Sequence, residues 1–435
     1  MSERTKAEAK IGLARFFARA KQILTTDPTG SDEDDRVVEE ATAQALARHA
    51  AQHKGGMAKV AQLAAYDPLG ALGEGSGAGR SALANLWDRA PGVTAAEVSR
   101  VIEEDLGAPP QQLFASWDPN PIAAASLGQV HAATGKDGSE YAVKIQYPAI
   151  AAALREDVAS EAFVRKLAGS EVGATLDGAA LEALRAAVLG ELDYRAEAAA
   201  CEKFRAAWAG DEAIVVPRVE TSLSSARVLT MERLRGMTLV ETASADADTR
   251  AQAAAAIFRF AYGSPLVHGL LNADPNPGNY LVARAGDRVK VGFLDFGCAV
   301  PLAPELAAGD KELWYGILHD DAFAGAERFR MGLAHMKLLR RADALHSTAH
   351  RDWERALATP FAGAAPFHWT RGYAADLARS TRRALAAGGL GLPAGVVLLW
   401  RARLGVASVL AMLDSSLPFR RLLVDLIGLG RAALR

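Results

Sequence analysis

The sequence predicts an α+β protein of two lobes, a small one that carries a sheet and a larger one that is mainly helical. Three observations lead there. Half of the 435 residues are apolar, and alanine supplies much of that share, which favours helix along most of the chain. The helical texture is interrupted between residues 121 and 147 by two strand-like runs around a Lys136-Asp137-Gly138 turn, a hairpin signal. After residue 243 helical periodicity returns, apart from short strands near Tyr280 and over 289–294.

Residues 5–24 read as a basic amphipathic helix. Leu13, Phe16, Phe17, Ala20 and Leu24 recur at helical spacing, and Lys10, Arg15, Arg19 and Lys21 supply charge. Such a face either lies on an anionic membrane surface or docks on the rest of the protein. Ser31 caps the next helix, with acidic residues 32–35 complementing its dipole. The run Lys54 to Gln62 and a glycine-rich loop over 70–79 follow. Thr94 caps a helix to Leu106 with Val98, Val101, Ile102 and Leu106 on one face, stopped by Gly107 and Pro109-Pro110. Residues 1–110 are thus a helical extension, 111–235 the sheet-bearing lobe and 236–435 the helical lobe. Within the second, strands are expected over 121–133, 140–147, 213–219 and 227–231, with helix over 154–206.

Composition excludes several classes. A formal net charge of −2 argues against a nucleic-acid binder. Two cysteines, Cys201 and Cys298, make no disulfide framework and have no metal-ligand spacing, which fits a reducing cytoplasm. Lys, Arg and Glu interrupt the first stretch, so no secretory signal is expected. Arg401 and Arg403 split the longest apolar runs, and a spanning helix needs about 20 apolar residues, so none is expected either.

The chemistry lies in residues whose order matches phosphoryl transfer. Tyr141-Ala142-Val143-Lys144-Ile145 alternates like a strand and fits the pattern that places a lysine on the α- and β-phosphates. Glu191 to Glu197 is a helical acidic cluster in which Asp193 and Glu197 share a face and Glu191 points elsewhere, so that Glu197 can pair with Lys144. Asp274-Pro275-Asn276-Pro277-Gly278-Asn279 has the D-x-x-x-x-N spacing of a kinase catalytic loop, stiffened by two prolines. Asp295-Phe296-Gly297 then closes an apolar strand. Asp274 is the candidate catalytic carboxylate, and Asn279 and Asp295 are the candidate Mg²⁺ ligands. Where a glycine-rich phosphate loop belongs, the chain has Ala123-Ala124-Ala125-Ser126-Leu127-Gly128-Gln129-Val130-His131. Alanine disfavours the backbone geometries glycine allows, so these residues are expected to begin a helical turn facing the phosphates, with nucleotide still bound and transfer to a protein substrate suppressed. His268, Cys298, Trp314 and Trp400 read as core residues, and His131 is as well explained by structure as by catalysis.

The alanine-rich loop, the acidic helix, the 273–279 loop and Asp-Phe-Gly together resemble the motifs of the UbiB (AarF) family of atypical protein-kinase-like proteins, over about residues 40–300. The resemblance implies a two-lobed kinase-like fold that binds ATP with Mg²⁺. Lys144 would be the nucleotide lysine, Glu197 its partner, and Met231 and Glu232 the hinge at the adenine. The resemblance also implies a cover over the active site carrying a K-x-G-Q motif, matched by Lys59 and Gln62, that meets the acidic pair Glu191 and Asp193. Ala61 stands in place of that motif's glycine, Asn272 where the family often has histidine, and Ala200 where it often has asparagine. The function implied is a kinase or ATPase supporting ubiquinone or related prenyl-lipid biosynthesis, with a prenyl-lipid or phenolic small molecule and a peripheral membrane surface as partners. Two alternatives stay open: a small-molecule phosphotransferase, and a nucleotide-binding scaffold without turnover.

Overall fold

The computed structural model describes residues 94–125, 127–148, 150–159, 178–340, 345 and 347–428. The amphipathic helix read over 5–24, Lys59 and Gln62, and Ser126 lie outside them.

Helix α1 (Ala95–Leu106) begins at a reciprocal cap. The Thr94 side chain accepts from the Glu97 amide, and the Glu97 carboxylate accepts from the Thr94 amide at 2.9 Å. Gly107 ends it at φ +81°, a left-handed conformation that costs glycine little. Its apolar face, Val98, Val101 and Ile102, is buried against Tyr141, Val143, Ile145 and Val228. Arg227 fixes the same helix by pairing with Glu104 and Asp105.

Strands β1 (Ser116–Ala125), β2 (Gly128–Thr134) and β3 (Glu140–Gln146), then β5 (Val228–Glu232), which follows the short β4 (Ile214–Val215), form an antiparallel sheet in the order β1-β2-β3-β5. The single strand expected over 121–133 is therefore a hairpin, β1 and β2 pairing as far as Ala125 opposite Gly128. Ala123, Ala124 and Ala125 are extended and sit opposite Val130, Gln129 and Gly128, so they do not begin a helical turn. Gly128 allows the close approach behind them, because a Cβ there would stand 2.0 Å from the Ile145 carbonyl oxygen.

Helices α2 (Ile150–Ala159), α3 (Gly178–Gly190) and α4 (Tyr194–Ala207) supply helix where it is expected over 154–206, with a break between α3 and α4. The break at 191–193 has a local cause. Asp193 leaves the helix to cap α4, its carboxylate accepting from the Arg195 amide at 3.0 Å. Asp193 and Glu197 consequently do not share a helix face.

The larger lobe is built on α5 (Ala247–His268), buried along most of its length. A second sheet, order β4-β9-β8-β6, lies beside it, formed with β6 (Met237–Thr238), β8 (Tyr280–Ala285) and β9 (Arg288–Phe293). The short strand β7 (Leu270–Asn272) pairs with β10 (Ala299–Pro301), which closes the loop between them. Helices α6 (Pro304–Leu318) and α7 (Ala322–His335) then run antiparallel at very close range. Gly309 and Gly316 of α6 face Gly332 and Gly325 of α7, and a Cβ on Gly332 would stand 2.5 Å from the Leu313 amide nitrogen. Helices α8 (Thr348–Ala358), α9 (Arg371–Ala386), α10 (Ala394–Leu413) and α11 (Phe419–Leu426) complete the lobe.

Among the described residues, α10 alone is long and apolar enough to cross a membrane, yet most of it is buried inside the fold. Arg401 and Arg403 do not interrupt it. Each has a carboxylate partner within the protein: Asp274 at 3.2 Å and Asp310 at 2.7 Å respectively. Trp314, Trp400 and Cys298 are buried, as expected. His268 is not; it sits exposed at the end of α5 with its ring against Trp208.

Candidate active site

The site forms where β3, α4, the 272–279 loop and the segment after β9 converge. Strand alternation turns Lys144 inward from β3, and its side chain is 8% exposed. Its ammonium donates to both oxygens of Glu197, at 2.9 and 3.0 Å, and to Asp295 Oδ2 at 3.2 Å. It also lies 4.9 Å from the centre of the Tyr194 ring, the first residue of α4. Burial disfavours the charge on Lys144, but the two carboxylates outweigh it and hold the pKa well above the ordinary lysine value. Burial also raises Glu197, to about 7, against the opposing pull of Lys144.

Asp295 is held from two sides. Its Oδ1 accepts from the Gly297 amide at 2.9 Å, while Oδ2 takes the lysine. Phe296 turns into the core against Phe204 of α4, ring centres 5.0 Å apart, and is 1% exposed. This packing keeps α4, and with it Glu197, close to the Asp-Phe-Gly segment.

The catalytic-type loop is tied to the same segment by Asn272. Its amide donates to the Asp295 carbonyl at 2.9 Å, and its oxygen accepts from the Asp274 amide at 3.2 Å. Asn279 donates to Asp274 Oδ2 at 3.2 Å and to the Asp274 carbonyl at 3.3 Å. Asn276 and Pro277 make the turn between them, Asn276 Oδ1 accepting from the Gly278 amide at 2.8 Å. These bonds tie the loop to the Asp-Phe-Gly segment.

The structure thus brings together Lys144, Glu197, Asp274, Asn279 and Asp295. Glu191 joins them, contrary to the expectation that it points away. It is buried, accepts from the Cys298 thiol at 3.0 Å and packs against Gly297. Asp193 is exposed and engaged in capping. Met231 is buried opposite Ala142, and exposed Glu232 ends β5 where the chain leaves the first sheet. Ala123 and Ala125 stand at the open end of β1. His131 is structural: fully buried, stacked on Trp117 at 4.8 Å, with Nδ1–H donating to the Asp118 carbonyl at 2.9 Å.

Three contributors escaped the sequence reading. Tyr194 lies beside a motif residue and went unread. Asn272 reads in the sequence only as a departure from the histidine the family often has. Arg401 was treated only as an interruption of an apolar run, although a charge in such a run signals a buried partner.

Lysine and helix glutamate, the D-x-x-x-x-N loop and Asp-Phe-Gly, carried on a small antiparallel sheet above a helical lobe, define a protein-kinase-like protein. Residues 85–328 match the ABC1 atypical kinase-like domain, and the chain belongs to that family, also known as UbiB or AarF. Relatives include the rat protein Atypical kinase COQ8B, mitochondrial (Rattus norvegicus), 34% identical over 203 residues, 47% of this chain and 38% of the rat protein. Atypical kinase COQ8, mitochondrial, of Saccharomyces cerevisiae is 31% identical over 271 residues, 61% of this chain and 52% of the yeast protein. The chain spans about a third to three-fifths of the length of the curated relatives it matches. A Mycobacterium tuberculosis protein, Rv3197, solved in complex with erythromycin, shares the fold with a TM-score of 0.62 at 24% identity, covering 97% of this chain and 98% of that one.

Proposed function

We propose that this chain is an atypical, Mg²⁺-dependent kinase or ATPase that supports prenyl-quinone biosynthesis. The observation that carries the reading is the bond from Lys144 to both Glu197 and Asp295, which couples the nucleotide lysine to a metal-ligand candidate. The donor set suits the ion: Asp295 offers carboxylate oxygen and Asn279 amide oxygen, and no cluster of three His, Cys, Asp or Glu residues occurs among the described residues. Mg²⁺ is typically held by one or two protein oxygens together with nucleotide phosphates. When bound, it would neutralise charge on the transferred phosphate.

In this reading Lys144 orients the α- and β-phosphates and Glu197 fixes the lysine. Asp274 orients the attacking hydroxyl or water, held by Asn279 on one oxygen. Met231 and Glu232 lie where the chain passes between lobes and would border the adenine, and Ala123–125 with Ser126 would border the phosphates. Lys59 and Gln62 would cover the site and meet the acidic pair Glu191 and Asp193, which excludes bulky protein substrates. The likeness to the UbiB family supplies the lipid assignment: a prenylated or phenolic small molecule, met by a cytoplasmic protein at the membrane surface.

The test is Mg²⁺-dependent ATP hydrolysis, with and without anionic liposomes carrying a phenolic quinone-precursor mimic, beside Asp295→Asn. Activity that rises with the lipid and is lost in the variant is expected. Nucleotide binding with no hydrolysis under any condition would sink the enzymatic reading.

A further inference from the structure

The structure assigns Arg401 as the positioning residue for Asp274 and makes α10 the platform on which the 272–279 loop is set; this rests on the phosphoryl-transfer reading above. Arg401 lies in the middle of α10, with its side chain 11% exposed. Its Nη2 donates to Asp274 Oδ1 at 3.2 Å, while Asn279 holds Oδ2 at 3.2 Å. Each carboxylate oxygen therefore has its own donor, from a different element, and rotation of the carboxylate would break one bond or the other. Gly405, one helical turn further on, meets the next loop residue: a Cβ there would stand 2.2 Å from Pro275 Cγ. Two contacts one turn apart on the helix thus seat two adjacent loop residues, one by charge and one by shape.

Beside this contact the Cys298 thiol donates to Glu191 at 3.0 Å. A guanidinium suits this position because it is always charged and its donors form a fixed planar fork, whereas a lysine would offer a mobile point charge. Arg403, two residues on, is a contrast on the same helix. It pairs with Asp310 and stacks at 3.9 Å on Tyr262, away from the loop. Arg401 touches none of the reacting groups itself; it acts through Asp274.

The test compares the full-length wild type, Arg401→Gln and Arg401→Lys by two readouts. The first is hydrogen exchange, without nucleotide, at the amides of Ala273, Asp274, Asn276, Gly278 and Asn279 and along α10. The second is steady-state MgATP hydrolysis. Arg401→Gln should speed loop exchange by about tenfold with α10 unchanged, and should lower kcat by about tenfold or more with KM for ATP within about twofold. Arg401→Lys should recover part of both. Unchanged loop exchange, an unchanged kcat, or exchange that rises equally along α10 with no recovery by lysine would overturn the assignment. Wild type that neither binds nor hydrolyses MgATP would sink the phosphoryl-transfer reading, and loop exchange would still decide the positioning role.

Discussion

Lys144 and Glu197 are 53 residues apart in sequence, and the lysine ammonium sits almost equally between the two oxygens of the glutamate, at 2.9 and 3.0 Å. The contact joins the sheet of the small lobe to α4 and leaves Asp295 as the lysine's second carboxylate. Binding and folding make opposite demands on it.

Glu197→Gln separates those demands. Burial raises the Glu197 pKa from its ordinary value to about 7. A carboxyl whose folded pKa is raised contributes most below its unfolded pKa, and that contribution is lost as pH rises through about 7. The variant should therefore gain stability relative to wild type as pH rises from 5 to 8, read by urea unfolding at both. MgATP hydrolysis should fall about tenfold or more at pH 8, where the variant removes the carboxylate that anchors the lysine.

The Arg403–Asp310 pair is expected to behave differently. Both side chains are almost fully buried, 6% and 5% exposed, and Trp314 Nε1 also donates to Asp310 at 3.0 Å. Removing one charge strands the other. Arg403→Met or Asp310→Asn should each cost about 3–5 kcal/mol of unfolding free energy. Replacing both with apolar residues of similar volume should cost much less, which a denaturant titration of the single and double variants will show.

Gly332→Ala tests the seam between α6 and α7. The added methyl would meet the Leu313 backbone at 2.5 Å, where no side-chain rotation gives relief. The helices must separate, and overpacking of this kind costs about 1–3 kcal/mol. Thermal unfolding should show a lower Tm. Alanine at Gly363, where nothing lies within 4 Å, should leave Tm nearly unchanged.

His131 supplies the acid limb. Burial lowers its pKa below the ordinary 6.5, and its Nδ1–H is committed to the Asp118 carbonyl. A histidine with a depressed folded pKa stabilises fully above its unfolded pKa and loses that contribution as pH falls below it. Wild-type Tm should drop more steeply between pH 7 and 5 than that of His131→Gln, measured by calorimetry.

The sheet-bearing lobe and the residues of the site were largely legible in the sequence, because strand alternation around Lys144 and the Asp274–Asn279 spacing are local signals. The breaks were less so. Alanine over 123–125 suits helix by propensity, yet pairing with 128–130 draws it into a strand. Likewise Asp193 looks like a helical residue by periodicity, and its side chain's competition for the Arg195 amide ends one helix and starts another. Glu191 and Arg401 depend on partners more than 100 residues away, Cys298 and Asp274, which no local pattern reveals.

That distance has a consequence for biogenesis. The ribosome makes Asp274 127 residues before Arg401. At about 5–20 residues per second the aspartate waits roughly 6–25 s for its guanidinium. Through that interval the sheet of the small lobe and α4 are already synthesised, while the loop lacks its seat on α10. Competence for chemistry thus arrives late in translation, and a product terminated before residue 401 would retain Lys144 and Glu197 but lack the means to aim Asp274.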